Sequence, residues 1–145
     1  MQHVVFVQYA INDKEMIDEV DRFEPDIIFC SYLKTFLPKE IFLKTPTFVL
    51  HPGIRGDRGH NAIDHALRDE KKEWGVVILK ANEEFDGGDI YSEVKFEMRD
   101  TTKSSIYRDE VADATSKALK EFLINLEDKE FKPTPQLKSS MHHYL

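Results

Sequence analysis

The sequence predicts one α/β domain built on a mostly parallel sheet with flanking helices, and three observations lead to that class. Largely apolar runs of strand length recur at residues 4–7, 26–30, 47–50 and 74–80, and helical patterns separate them. These runs show little alternation, as is typical of parallel strands that are covered on both faces. The chain has 145 residues, of which 41% are hydrophobic, and this suffices for a single domain with its own core.

The remaining elements follow from apolar spacing and from the positions of proline. Helices are predicted between and after the strands: one that ends at Pro25, and three at residues 38–43, 61–70 and 104–126. Residues 89–98 alternate in part between apolar and polar, which predicts a more exposed, antiparallel strand. The domain should span residues 1–132, and the tail at residues 133–145, with Pro133 and Pro135, should lie along the surface or fray.

Charge and cysteine content narrow the classes of function. The net charge is −7, from 20 basic and 27 acidic residues, which disfavours a large nucleic-acid footprint because such a footprint needs a basic face. A small anionic ligand, held by a local arginine or lysine, remains compatible with this charge. The single cysteine, Cys30, rules out a disulfide framework within the chain. Since the sequence shows no membrane-spanning run and no signal-peptide pattern, we expect a reducing, cytoplasmic location.

Two glycine-rich turns form the strongest functional signal. All six glycines lie between residues 47 and 89, and glycine is favoured where a ligand approaches the backbone or where φ is positive. The strand at 47–50 delivers His51 into the first turn, and the strand at 74–80 leads to the second turn, which carries Asp86. In α/β sheets the ligand crevice lies beyond the carboxyl ends of the strands, where we expect His51 together with Leu33, Lys34, Thr35 and Phe36.

His51 and Asp86 are the candidate catalytic pair, although each also has a purely structural interpretation. A lone histidine at a strand end is often structural, and Asp86 can bond to its own backbone in an Asp-Gly-Gly-Asp turn. If the two turns converge, Asp86 orients His51 and stabilises its charged form, which serves acyl-type transfer to an amine or thiol. Arg55 and Arg58 either belong to a solvated loop or hold a carboxylate or phosphate. Metal-ligand spacings and a P-loop are absent from the sequence.

These residues together resemble the formyltransferase domain that uses 10-formyltetrahydrofolate, a family that includes methionyl-tRNA formyltransferase and glycinamide ribonucleotide formyltransferase. His51 is followed seven residues later by Arg58-Gly59, then by a helix, a strand and the segment Phe85-Asp86-Gly87-Gly88-Asp89. The chain is similar in particular to the N-terminal domain of the hydrogenase maturation factor HypX. That similarity covers residues 3–135 and is carried by His51-Pro52-Gly53, Gly56-Asp57-Arg58-Gly59, Glu73-Trp74-Gly75-Val76, Met98-Arg99 and residues 103–108.

The resemblance implies a formyltransferase-type, Rossmann-like fold that apparently lacks the first βα unit, and it implies a role for each site residue. His51 would be the catalytic histidine, and Asp86 the aspartate that sets its protonation. The pterin of 10-formyltetrahydrofolate would lie between two loops, held by Leu33, Lys34, Thr35 and Phe36 and by Asn82, Glu83 and Glu84. Arg55 or Arg58 would hold an anionic acceptor, which is coenzyme A in the hydrogenase-maturation interpretation.

Val49 departs from the family pattern, in which an asparagine two residues before the histidine donates a hydrogen bond to the oxyanion. Three functions therefore stay open: formyl transfer to an amine or thiol, hydrolysis of 10-formyltetrahydrofolate, and folate or partner binding without catalysis. A chain without the opening βα unit would also expose a strand edge, through which two copies could form a homodimer.

Overall fold

The computed structural model describes residues 3–31, 33, 36–54, 62–68, 70–84 and 87–136, with the backbone alone at residues 62, 63 and 65. The elements are α1 (Asp13–Phe23), β1 (Ile28–Ser31), α2 (Lys39–Phe42), β2 (Thr47–His51), α3 (Ala62–Arg68), β3 (Glu73–Lys80), β4 (Ile90–Glu97), α4 (Lys103–Ile106), a π-helical turn (Tyr107–Val111) and α5 (Ala112–Glu127). The predicted helices are present, with ends that differ by one or two residues. Within these ranges, no helix is long and apolar enough to cross a membrane.

The four strands form one sheet in the order β1-β2-β3-β4. β1 and β2 are parallel, whereas β3 is antiparallel to both of its neighbours. The expectation of a mostly parallel sheet is therefore wrong for the described strands, although helices and strands alternate as predicted. β3 runs back alongside β2, with Val77 in register with His51 and Lys80 in register with Phe48. Residues 73–76 of β3 extend past the end of β2.

Both faces of β2 and β3 are buried, which explains why their sequences do not alternate. One face packs on the long helix, in a cluster that includes Phe48, Leu50, Trp74, Val76, Ile78, Ile106, Val111, Ala114, Ala118 and Phe122. The opposite face carries a smaller cluster of Val49, Val77, Leu79 and Ile90. In β2 and β3 the unbroken apolar runs thus reflect burial on both faces, and they say nothing about the direction of the strands.

The first apolar run, residues 4–7, is not a strand. Val4, Val5 and Val7 are 88%, 78% and 83% exposed, and none of the described strands pairs with this segment. Phe6 packs its ring on that of Phe23, with 5.0 Å between the centroids. Residues that favour strands form one only where a neighbouring strand supplies hydrogen bonds, so the prediction of a strand here is wrong.

β1 is a strand as predicted, but it is less buried than expected. Ile27 and Phe29 are 40% and 36% exposed, because β1 lies at the edge of the sheet and has a described neighbour on one side only. Cys30 points to the opposite face and packs against the smaller cluster, which contains Val49.

Residues 131–136 run along the domain. Thr134 forms an antiparallel bridge with Ile90, the first residue of β4, and the ring of Phe131 lies 5.5 Å from that of Tyr91. The tail was expected either to lie along the surface or to fray, and its described part, residues 133–136, lies along the surface. The boundary after residue 132 stays a prediction.

Candidate functional site

His51 lies buried at the carboxyl end of β2, where strand pairing fixes its backbone. It is 4% exposed and is in register with Val77 of antiparallel β3. Because side chains alternate along a strand, His51 lies on the same face of the sheet as Val49, about 7 Å further along. Its ring lies against the backbone of Gly53, two residues later. The histidine is therefore positioned by the sheet and by one close backbone contact.

A cavity of about 430 Å³ opens on this face of the sheet, a volume that suits a small molecule. It is lined by Leu33, Phe36, Leu37, Lys39, Phe42, Val49, Leu79, Ala81, Asn82, Glu83 and Glu84. The two loops between which the resemblance places the pterin both contribute described residues to this cavity. Its floor includes Val49, which lies two residues before His51 on the same face of β2, whereas His51 itself is not a lining residue.

The loop between β3 and β4 is held by its own hydrogen bonds. At its base the Lys80 amide donates to the Asp89 carbonyl at 2.9 Å. Within the loop, Asn82 Oδ1 accepts from the Glu84 amide at 2.8 Å, in the manner of an Asx-turn. The Gly87 amide then donates to the Glu84 carbonyl at 3.1 Å. These hydrogen bonds hold the described part of the loop, and thus one side of the cavity, without a ligand.

The cavity is apolar at its floor and charged at its rim. Val49 and Leu79 come from neighbouring strands and are in register. The charged lining residues are Lys39, at the start of α2, and the pair Glu83 and Glu84, in the β3–β4 loop. A low-dielectric floor strengthens hydrogen bonds made by the polar edge of a ligand. Lys39 is the one basic residue among the described residues that line the cavity, and it therefore suits an anionic group of the ligand.

Five predicted site residues lie outside the described part of the chain: Lys34, Thr35, Arg55, Arg58 and Asp86. The pairing of His51 with Asp86 accordingly stays a prediction. Gly87, the next residue after Asp86, is buried and belongs to the loop that lines the cavity. The remaining predicted residues of the two loops, Leu33, Phe36, Asn82, Glu83 and Glu84, all line the cavity, and their binding role stays a prediction.

Leu37 ends the predicted loop at residues 33–37, and Val49 occupies the family's asparagine position. Sequence reasoning did not assign the other four cavity residues to the site: Lys39, Phe42, Leu79 and Ala81. Leu79 becomes a site residue only because it is in register with Val49 across β2 and β3, and strand register was not predicted. Lys39 and Phe42 belong to α2, which directly follows the predicted loop. A short helix was predicted directly after the binding loop, and Lys39 and Phe42 could have been assigned to the site from that position.

Cys30 is adjacent to the cavity floor, in register with Val49. Burial raises the pKa of the Cys30 thiol to about 11. The thiol is therefore protonated near neutral pH, and it cannot serve there as a thiolate nucleophile. Within the described residues no group of three histidine, cysteine or acidic side chains is placed to hold a metal ion.

Comparison with known proteins identifies a family and several similar proteins. The family model described as formyl transferase matches residues 2–123. Hydrogenase maturation factor HoxX from Bradyrhizobium diazoefficiens is 36% identical over 133 residues, which cover 92% of this chain and 24% of HoxX. Methionyl-tRNA formyltransferase from Bacillus velezensis is 28% identical over 130 residues, which cover 87% of this chain and 41% of the enzyme.

One solved structure adds information on a ligand. The crystal structure of HypX from Aquifex aeolicus in complex with tetrahydrofolic acid matches with a TM-score of 0.85 at 38% identity, over 90% of this chain and 23% of HypX. The chain therefore spans about a quarter of the length of HoxX and HypX and less than half of the methionyl-tRNA enzyme. The family match at residues 2–123 contains His51 and both cavity loops, and it ends before residues 131–136.

Proposed function

The chain belongs to the formyl transferase family, and from that membership we propose that it transfers the formyl group of 10-formyltetrahydrofolate to an amine or thiol. The observation that carries the proposal is the cavity lined by the two predicted loops, which opens on the face of β2 that also carries the buried His51. The 38% identical HypX structure, which contains tetrahydrofolic acid, supports the choice of donor.

The cavity accounts for the donor in chemical terms. The flat pterin ring would lie over the apolar floor, between Leu33 and Phe36 on one side and Asn82 on the other, all of which line the cavity. Its polar edge would bond to backbone groups of the β3–β4 loop, which is already held by its own hydrogen bonds. The glutamate end of the folate carries carboxylates. Lys39, the basic residue among the described residues that line the cavity, would bind them.

The reaction follows from the position of His51. The nitrogen or sulfur of the acceptor attacks the formyl carbon, and His51 accepts the proton that the acceptor loses. The bond between the formyl carbon and N10 then breaks, and the proton passes to N10, which leaves tetrahydrofolate as product. Asp86 orients the imidazole and stabilises its charged form. General acid–base catalysis of this kind contributes about 10²- to 10⁴-fold in rate.

For the acceptor we take coenzyme A, a thiol, from the hydrogenase-maturation interpretation of the sequence, and the similarity to the hydrogenase maturation factor HoxX supports that interpretation. HoxX and HypX are both about four times longer than the matched part of this chain, so acceptor recognition can involve residues beyond it. Arg55 and Arg58, in the turn after His51, are the candidates for the acceptor's phosphates, because a guanidinium binds phosphate in a bidentate manner.

A specific observation favours a second candidate function, folate binding without turnover. Val49 is 8% exposed, lines the cavity floor and lies two residues before His51. A valine cannot donate the hydrogen bond that would stabilise a developing oxyanion. If no other donor replaces it, the domain binds the folate but does not catalyse the transfer.

The test is to measure tetrahydrofolate release from 10-formyltetrahydrofolate with coenzyme A, with a generic amine and with no acceptor. We expect release that depends on an acceptor and that falls at least about 100-fold in His51→Ala. His3→Ala is the matched control, since His3 is exposed and remote in sequence from the site. Undiminished release in His51→Ala contradicts the proposal. Release without an acceptor that disappears in His51→Ala identifies a hydrolase, and tetrahydrofolate binding without release identifies the second candidate.

A further inference from the structure

Residues 131–136, which we call the strap, contact the carboxyl-terminal end of the loop between β3 and β4. This loop, which we call the cavity loop, lines the cavity. The Ile90 amide donates to the Thr134 carbonyl at 2.7 Å, and the Thr134 amide donates back to the Ile90 carbonyl at 3.0 Å. Gln136 continues this contact, and its side-chain amide Nε2 donates to the Gly88 carbonyl at 2.7 Å. The strap thus contacts β4 through a backbone bridge and the loop through the side chain of Gln136.

Gly88, the residue that Gln136 contacts, packs closely against the backbone of Lys80 and has no room for a side chain there. A Cβ on Gly88 would lie 1.6 Å from the Lys80 carbonyl oxygen, so the two ends of the loop touch at this point. The Lys80 amide also donates to Asp89 at 2.9 Å. Gly88 is therefore held between Lys80 on one side and Gln136 on the other.

The strap is separate from the segment that defines the family. The family match covers residues 2–123 and includes the whole cavity loop, whereas the strap begins eight residues later. Its backbone bridge extends β4 by one more pairing and is explained by the sheet alone. The Gln136 bond is different, because it reaches past the strand and restrains a carbonyl inside the loop.

We propose that Gln136 is a positioning residue for the loop between β3 and β4. This inference rests on the proposed function, in which Asp86 of that loop orients His51. Gly88 lies two residues after Asp86, and fixing its carbonyl restricts the conformations that the preceding residues adopt. Small displacements of a catalytic group, on the order of 1 Å, lower turnover about 100-fold. Gln136 would act on the reaction only through the loop and would not touch the folate.

Two substitutions of Gln136 separate positioning from general support of the fold. Gln136→Ala removes the side-chain amide, and Gln136→Glu keeps the shape but replaces the donor with a carboxylate oxygen that faces the Gly88 carbonyl. The matched control is Lys129→Ala, since Lys129 is exposed and precedes the strap. For each variant the full chain is compared with wild type in melting temperature, kcat, KM, the pH dependence of kcat and amide hydrogen exchange of residues 80–90.

We expect kcat to fall at least tenfold in both Gln136 variants, with an altered pH profile, at a melting temperature close to that of wild type. Exchange at residues 82–89 should accelerate severalfold, and Lys129→Ala should change neither quantity. Unchanged exchange and unchanged kcat in both variants would overturn the inference, as would a lower melting temperature with kcat unaltered.

The hydrogen-exchange measurement also separates this inference from the proposed function. If the wild-type chain shows no turnover with any acceptor, the proposed function fails. In that case, faster amide hydrogen exchange in the Gln136 variants still supports a restraint of the loop by Gln136. Exchange equal to that of wild type contradicts this restraint.

Discussion

A Cβ on Gly53 would lie 2.7 Å from Nε2 of His51 and 2.9 Å from its Cδ2. The imidazole ring is therefore seated directly on the backbone of the residue two positions later in the chain. Glycine is required at residue 53 because any side chain would occupy the volume of the ring. The orientation of the His51 ring therefore depends on the backbone conformation at Gly53, in the turn that follows β2.

Gly53→Ala should impair activity through the position of His51. The added methyl group displaces a ring that is 4% exposed and closely surrounded, so we expect kcat to fall by about 10- to 100-fold. Tetrahydrofolate affinity should change much less, because the cavity is lined by other residues. Single-turnover kinetics together with a binding isotherm measure the two effects separately.

Gly75→Ala is the matched comparison for that experiment. A Cβ on Gly75 would lie 2.5 Å from the Val94 carbonyl oxygen, between β3 and β4. This clash is within the backbone of the sheet, so the substitution should lower the free energy of unfolding by about 1–3 kcal/mol. If both glycine variants lost stability equally while activity per folded molecule stayed constant, the role assigned to Gly53 would be wrong.

Local pattern was enough to predict the two loops that meet at the cavity. The segment after β1, the short helix after Pro38 and the glycine-rich turn after β3 are features of neighbouring residues, and each contributes described residues to the lining of one cavity. The caps at Asn12 and Thr102 are equally local, because each side-chain oxygen accepts a hydrogen bond from the backbone amide three residues later.

Properties that depend on distant partners could not be predicted in the same way. Strand direction was inferred wrongly because burial on both faces looks the same in parallel and antiparallel sheets. The apolar residues 4–7 lack a described strand beside them, and their composition alone could not show this. The π-helical turn at Tyr107–Val111 also has no sequence signature that we recognise. Arg99, which bonds to Glu110 at 2.7 Å and to Asp109 at 3.0 Å, lies against it.

Lys39→Gln should weaken the binding of tetrahydrofolate without preventing it. Lys39 is exposed at the cavity rim, so its attraction for a carboxylate is screened and is worth about 0.2–1 kcal/mol. We therefore expect the Kd to rise by about 1.4- to 5-fold at low salt, and the difference should disappear at high salt. Titration calorimetry at two salt concentrations measures this. Lys120→Gln, on an exposed position of α5, should leave the Kd unchanged, and an equal effect there would remove Lys39 from the site.

Cys30 should make the stability of the chain depend on pH in the alkaline range. Because burial raises the pKa of the thiol from 9.0 to about 11, the unfolded chain loses the proton first as the pH rises. The contribution is therefore constant below pH 9 and falls between pH 9 and pH 11. The total loss is at most about 3 kcal/mol, since one pKa unit corresponds to about 1.4 kcal/mol.

Urea unfolding of wild type and of Cys30→Val at pH 8 and pH 11 measures this effect. Other groups that titrate in this range cancel in the difference between the two proteins. The advantage of wild type over Cys30→Val should shrink as the pH rises. A difference that stays constant from pH 8 to pH 11 would mean that the thiol has an ordinary pKa in the folded chain.

Val49→Asn should raise kcat while lowering stability. Val49 lines the cavity floor, lies two residues before His51 and supplies no hydrogen-bond donor. An asparagine amide there could donate to the developing oxyanion, and such a donor is worth up to about 3 kcal/mol in the barrier. We expect kcat to rise at least tenfold, and the free energy of unfolding to fall by about 1–3 kcal/mol because a polar group is buried. Val49→Leu, which has a similar shape but no donor, should lose stability without gaining activity. If Val49→Asn leaves kcat at the wild-type value, the chain already has another oxyanion donor, and the valine does not limit its chemistry.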